Sequence, residues 1–169
     1  MFEKKWFILL LVLILAGVIL IRVEASDLIA PDVKMFDQYT IKGSRNFYNG
    51  YEPGDSKGNV NVVVEIPKGT TGKWEVSTKD GSIKWEFKKG KPREVTYLGG
   101  YPANYGSIPK TLLPKQYGGD GDPIDIVVFG ETIPRGSVIK VKLIGVLKIL
   151  DEGEFDAKLL AGVIFKSCV

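Results

Sequence analysis

The chain has 169 residues, 44% of them hydrophobic, and a net charge of +3, enough for one domain with a real core and short for two. It contains no histidine, which excludes Ser-His-Asp and Cys-His catalysis, His-ligated zinc and imidazole acid/base chemistry. Its one cysteine, Cys168, excludes an intrachain disulfide and says nothing about redox compartment.

At the N-terminus Lys4 and Lys5 precede 16 uncharged, almost wholly apolar residues, Trp6 to Ile21. The run lies between the length of a signal-peptide core and that of a spanning helix, and it is not amphipathic, so residues 1–25 are expected to be a hydrophobic helix serving as signal peptide or membrane anchor. The preceding lysines favour a cytoplasmic start. The rest of the chain is then membrane-anchored or exported, extracytoplasmic or periplasmic rather than cytoplasmic.

Residues 26–58 are polar and rich in Gly, Asn and Asp. They are expected to form a polar tether or loop with one short strand around Met35 to Ile41. Beyond residue 59 the texture changes to strands. Asn61 to Ile66 is β-branched and ends at Pro67; Lys73 to Ser77 and Ile83 to Phe87 alternate around the turn Lys79-Asp80-Gly81, which predicts a hairpin. Ile124 to Phe129, Val138 to Ile149 and Lys158 to Phe165 are rich in Val, Ile and Leu, broken by Pro134-Arg135-Gly136 and by the acidic stretch Asp151 to Asp156. No long helical period occurs after residue 26. The fold class is therefore mainly β, and the strand spacing points to a small closed barrel over residues 59–169. The lysines between residues 73 and 93 are interspersed with Glu75, Asp80 and Glu86, the pattern of a solvated face rather than of a nucleic-acid footprint.

The chemistry concentrates in GGDGDPIDIVVFG, residues 118–130, where Asp120, Asp122 and Asp125 fall within six positions. Three carboxylates on one tight turn repel one another unless cations sit among them. Without His or Cys, such oxygen ligands suit hard divalent ions, Mg²⁺ first and Mn²⁺ as an alternative. A calcium EF-hand is excluded: counting from Asp120, the sixth position is Asp125 where glycine is needed. A second acidic cluster, Asp151 to Asp156, ends the next β-rich region. A barrel bringing the two together would hold two or more ions able to clamp a phosphoryl group and activate water.

YPANYGSIPKT (101–111), GDGDPIDIVV (119–128) and GVLKILDEGEFDAK (145–158) resemble the soluble, family I inorganic pyrophosphatases, with the family's D-x-D-P-x-D signature at Asp120 to Asp125. The likeness runs from about Asn61 to Ala161. It implies an OB-like five-stranded barrel and Mg²⁺-dependent hydrolysis of inorganic diphosphate. Carried over by position, Asp120, Asp125 and Asp156 resemble the ligands of the tighter metal sites, and Asp151 and Glu65 those of metals arriving with substrate. Asp122 matches the general base, Lys73, Arg93 and Lys158 the phosphate-contacting cations, Tyr105 a tyrosine near the leaving phosphate, and Glu75 an acid behind the metal and phosphate groups. Only 11 residues follow Lys158, where the family continues into a strand and a helix carrying a Tyr-Lys pair. The resemblance thus implies a C-terminally truncated pyrophosphatase, its activity impaired by the missing helix. The competing readings are an inactive pyrophosphatase-like fragment or an OB-type binding module. The expected partners are inorganic diphosphate and, through the N-terminal segment, a membrane, with no nucleic acid; homo-oligomerisation is left open.

Overall fold

The computed structural model describes residues 28–96, 99–113, 121–151 and 154–164. The N-terminal hydrophobic segment, residues 1–25, lies outside these. Among the described residues the fold consists of strands and turns, and no helix is long and apolar enough to cross a membrane.

The strands form two layers that pack on each other. The first is a closed barrel of five strands: β3 (Val60–Ile66), β8 (Asn104–Ser107), β9 (Asp125–Phe129), β10 (Val138–Asp151) and β11 (Glu154–Val163). Around the ring the order is β10-β11-β9-β8-β3, closed by β3 against β10, with β9 and β11 parallel and the other pairs antiparallel. The second is an antiparallel sheet ordered β1-β2-β5-β4, from β1 (Val33–Asp37), β2 (Thr40–Gly43), β4 (Trp74–Val76) and β5 (Ile83–Trp85). A two-stranded ribbon, β6 (Phe87–Lys88) and β7 (Lys91–Pro92), extends from it.

Strand β3 carries three successive valines, Val62, Val63 and Val64, because both of its faces are buried there. Val62 belongs to the barrel's core with Ile126, Val128, Val141 and Ala161, whereas Val63 joins Ile41, Phe47, Trp74, Val76 and Ile83 in the core under the second sheet. The expected hairpin at residues 73–87 is present, with Trp74 opposite Trp85 and Val76 opposite Ile83. The single strand expected near Met35 to Ile41 is two, paired from Val33↔Gly43 to Asp37↔Thr40. From residue 28 onward, the stretch read as a polar tether is packed on the domain. Ile41 and Phe47 are fully buried, and isolated apolar residues among polar neighbours carry no periodic signal in the sequence. Strand β8, within YPANYGSIPKT, has no strand signal in the sequence, since Asn-Tyr-Gly-Ser neither alternates nor contains a β-branched residue. Asp151 pairs with Glu154, so β11 starts earlier than the apolar pattern suggests and takes in Asp156. Beyond Val141 strand β10 leaves the core, and Ile144 is 64% exposed.

The core role of residues 28–58 is open to a direct test. Phe47, 1% exposed, is expected to cost roughly 3–5 kcal/mol when replaced by alanine, whereas Phe36→Ala, at a side chain 68% exposed, should change stability by less than about 0.5 kcal/mol. Urea denaturation of the two variants measures both; equal effects would mean that this stretch does not contribute to the core.

Candidate active site

Strand pleating sorts the barrel's side chains onto two faces. Ile126 and Val128 on β9, and Leu159, Ala161 and Val163 on β11, point to the barrel interior. Asp125, Asp156 and Lys158 hold the alternate positions and share the outer face. The parallel register pairs Leu159 with Ile126, which sets Lys158 beside Asp125. The Lys158 ammonium donates to the Asp125 carboxylate and ion-pairs with Asp156 Oδ1 at 2.6 Å. Burial alone would lower the ammonium's pKa, but the two carboxylates outweigh it and the net shift is upward. Carboxylates from the two acidic motifs thus meet at one nitrogen.

Strand β8 brings the next groups in. Ser107 lies opposite Asp125, and Tyr105 opposite Val127. The Tyr105 hydroxyl hydrogen-bonds Asp125, and its ring centroid lies 5.6 Å from the Lys158 ammonium. Burial, reinforced by the charges of Asp125, Glu65 and Asp156, holds this phenol far above its ordinary pKa, so it stays protonated. Gly106 separates Tyr105 from Ser107 for a steric reason: a Cβ there would stand 1.9 Å from the Val63 carbonyl oxygen of β3.

Glu65 sits where the β3–β8 register shifts, between Val64 and Ile66. Its Oε1 accepts from Ser107 Oγ at 2.7 Å and from the Val76 amide at 2.8 Å. Burial, only partly offset by the Ser107 hydrogen bond and reinforced by the charge of Asp125, pushes its carboxyl up to about 8. Glu65, Ser107, Asp125, Lys158 and Asp156 therefore form one continuous polar line across β3, β8, β9 and β11.

A second cluster adjoins it. Lys73 ion-pairs with Glu75 at 2.5 Å and with Glu86 at 2.7 Å, and Arg93 Nη1 donates to both oxygens of Glu86 at 2.9 and 3.0 Å. The backbones of the same residues are knit together by Lys73 N to Arg93 O, Glu86 N to Lys73 O and Arg93 N to Glu86 O. Burial works against the Lys73 ammonium, yet its two carboxylate partners raise its pKa overall. Tyr101 connects the clusters. Its ring packs on Tyr105 with centroids 5.7 Å apart, and its hydroxyl group interacts electrostatically with Arg93.

The structure thus brings together Asp125, Asp156, Lys158, Tyr105 and Glu65, and separately Lys73, Glu75 and Arg93. Asp122 is exposed on a turn held by its own carbonyl, which accepts from the Leu113 amide at 2.9 Å. Asp120 lies outside the described residues, as does the side chain of Asp151. Sequence reasoning missed Glu86 and Ser107. Glu86 was visible only as one polar member of an alternating strand, and nothing local told it from a solvent-facing acid.

Among the described residues no three carboxylates converge closely enough to hold a metal ion by themselves. Asp125 and Asp156 nevertheless offer oxygen ligands at a point already occupied by a cationic nitrogen, with Glu65 near enough for its charge and that of Asp125 to affect each other. Such a donor set fits a hard divalent ion.

A family model described as inorganic pyrophosphatase matches residues 62–165, more than half of the chain. The chain belongs to the inorganic pyrophosphatase family. Its pyrophosphatase region is 42% identical to the inorganic pyrophosphatase of Bos taurus over 113 residues, 59% of this chain and 39% of that protein. The inorganic pyrophosphatase of Candida glabrata is 38% identical over 144 residues, 77% of this chain and 50% of that protein. The chain thus spans about two fifths to a half of these relatives. Among solved structures, the type I inorganic pyrophosphatase of Toxoplasma gondii superposes with a TM-score of 0.67 at 29% identity, covering 78% of this chain and 67% of that one. A truncated vacuolar soluble pyrophosphatase of Trypanosoma cruzi, solved in complex with PPi, gives a TM-score of 0.60 at 28% identity over 80% of this chain and 52% of that one.

The raised Glu65 carboxyl has a measurable consequence in this pyrophosphatase domain. Between the ordinary value of 4.5 and about 8 the folded chain holds a proton that the unfolded chain has lost, so stability falls as pH rises through that window. In EDTA, Glu65→Gln is expected to gain stability relative to wild type from about pH 5 to about pH 9. Urea denaturation across the range checks this, and a difference that does not change with pH would contradict it.

Proposed function

We propose that this chain hydrolyses inorganic diphosphate to two orthophosphates with the help of divalent cations, Mg²⁺ in the first place and Mn²⁺ as a substitute. The observation that carries the reading is the division of the site into two compartments. Asp125 and Asp156 gather around one ammonium, with Glu65 close enough to feel the charge of Asp125, while Lys73 and Arg93 stand side by side on Glu86. A small polyanion bound with its counter-cations needs both.

Asp125 and Asp156 would hold the cations, joined by Asp120, Asp151 and Glu65. When bound, the divalent ions supply neutralisation of the phosphate charge and acidification of a coordinated water. Arg93 presents a planar fork that binds phosphate oxygens bidentately, and Lys73 and Lys158 act as compact point charges. Diphosphate must compete with Glu86 and Glu75 for those donors, which keeps the cations in place while the site is empty of substrate. Tyr105, held protonated, turns its one O–H from Asp125 to a phosphate oxygen and steadies the bridging side of the substrate. Asp122, exposed to the entering water, accepts the proton as the water oxygen bonds to one phosphorus; the bridging P–O bond breaks and its electron pair leaves with the other phosphate. Glu75 orients Lys73.

Phosphate release from diphosphate is expected with Mg²⁺ and not with EDTA. Asp122→Asn should lower turnover by about 10²–10⁴-fold while leaving Mn²⁺ binding, measured by calorimetry, close to wild type. Turnover that survives the substitution removes Asp122 as the base, and no Mg²⁺-dependent release from the wild-type chain removes the proposed activity.

The run from Trp6 to Ile21 behind Lys4 and Lys5 supports placing this activity at a membrane, with the barrel on the extracytoplasmic side. The full chain is expected to stay in the membrane pellet after high-salt washing. Quantitative recovery in the soluble fraction with its N-terminus intact would contradict the anchor.

A further inference from the structure

One buried cation takes no part in the site described above. Arg135, in the turn between β9 and β10, is 1% exposed. Burial lowers its pKa to about 10, so it is still a guanidinium at neutral pH. A charge withdrawn from water costs several kcal/mol before any compensation, and its contacts identify what that cost secures. Its Nε donates to the carbonyl oxygen of Glu65 at 2.7 Å, and its Cζ lies 4.5 Å from the ring centroid of Trp74. Glu65 is the residue at the β3 irregularity, where the regular ladder with β8 is interrupted and the backbone needs a donor from elsewhere. Trp74 stands between Lys73 and Glu75. One side chain therefore touches the backbone of an acid on one wall of the site and the neighbour of a phosphate-facing lysine on the other.

The turn that carries Arg135 is itself fixed. Its amide donates to Leu28 O at 2.8 Å and its carbonyl accepts from the Ala30 amide at 2.9 Å. The next two residues continue onto β3, with Gly136 N to Val64 O at 2.7 Å and Val64 N to Ser137 O at 2.9 Å. Gly136 has φ +83°, and a side chain there would press on Val33.

We propose that Arg135 is a positioning residue for the pyrophosphatase site: its guanidinium, held between the Glu65 carbonyl and the face of Trp74, sets the direction in which Glu65 and Lys73 are presented. The inference rests on reading Glu65, Asp125 and Asp156 as cation ligands. A planar guanidinium donates in its plane and stacks through its face at the same time; an ammonium satisfies one of these demands and a thioether neither.

The experiment uses the full chain and compares Arg135→Lys and Arg135→Met with Val141→Ala, which opens a cavity in the barrel's own core away from this contact. Mn²⁺ binding is measured by calorimetry at a temperature where every chain is folded by circular dichroism. Both Arg135 variants are expected to bind Mn²⁺ roughly 10–100-fold more weakly, with Val141→Ala unchanged. Wild-type affinity in either Arg135 variant, or an equal loss in Val141→Ala, overturns the proposal. Should Arg135→Met not fold, Arg135→Lys decides alone. A wild-type chain that binds no Mn²⁺ overturns the cation-site reading together with this one, whereas normal wild-type binding with unaffected variants overturns only the role of Arg135.

Discussion

The ammonium of Lys158, shared by Asp125 and Asp156, is the contact around which the rest of the site is arranged. It exists because β9 and β11 run parallel in one particular register. A slip of a single residue would turn Lys158 into the barrel and Leu159 out of it. The interior residues Ile126, Val128, Leu159 and Ala161 enforce that register by packing, so the apolar core on one face of the strands holds the polar site on the other. The same logic extends sideways through Ser107 and Tyr105, each placed by a cross-strand pairing, to Glu65 at the irregularity between Val64 and Ile66.

The second layer gives the site its other half. Strand β3 is buried on both faces, and its two sets of valines serve different cores. The sheet that packs on it delivers the Val76 amide to the Glu65 carboxylate and carries Lys73 and Glu75 alongside. Lys73, Glu86 and Arg93 are bound to one another through backbone and side chain alike, so the cationic compartment is organised without a ligand. Among the described residues the charges of both compartments are thus already compensated: in the proposed reaction, divalent cations would take the place of Lys158 at Asp125 and Asp156, and a polyanion the place of Glu86 and Glu75 at Lys73 and Arg93. Electrostatic substitution of this kind limits the reorganisation that accompanies binding.

Legibility in the sequence followed the range of the interactions. The strands at 60–66, 74–76, 83–85, 125–129 and 138–151 were visible because β-branched runs and alternation are local, and the acids stood out because three carboxylates so close together need compensation wherever the chain puts them. Glu86 stayed hidden because its meaning lies in two cations, Lys73 and Arg93, that reach it only through the folded loop. The strand pair at 33–43 and buried Phe47 stayed hidden because single apolar residues among Gly, Asn and Asp have no period. Arg135 looked like part of a turn, which it is; its burial depends on a strand and a tryptophan some 60 or more positions earlier in the chain.

By itself, then, the order of residues determined a mainly β domain, an oxygen-only ligand set in the absence of histidine, and motifs similar to those of a phosphate-cleaving family. The tertiary structure alone decided which acids meet, because Asp125 and Lys158 are separated by 33 positions and only barrel closure with a parallel pairing brings them into contact. Strand register is set by the summed packing of the core, and no short stretch of sequence contains that sum.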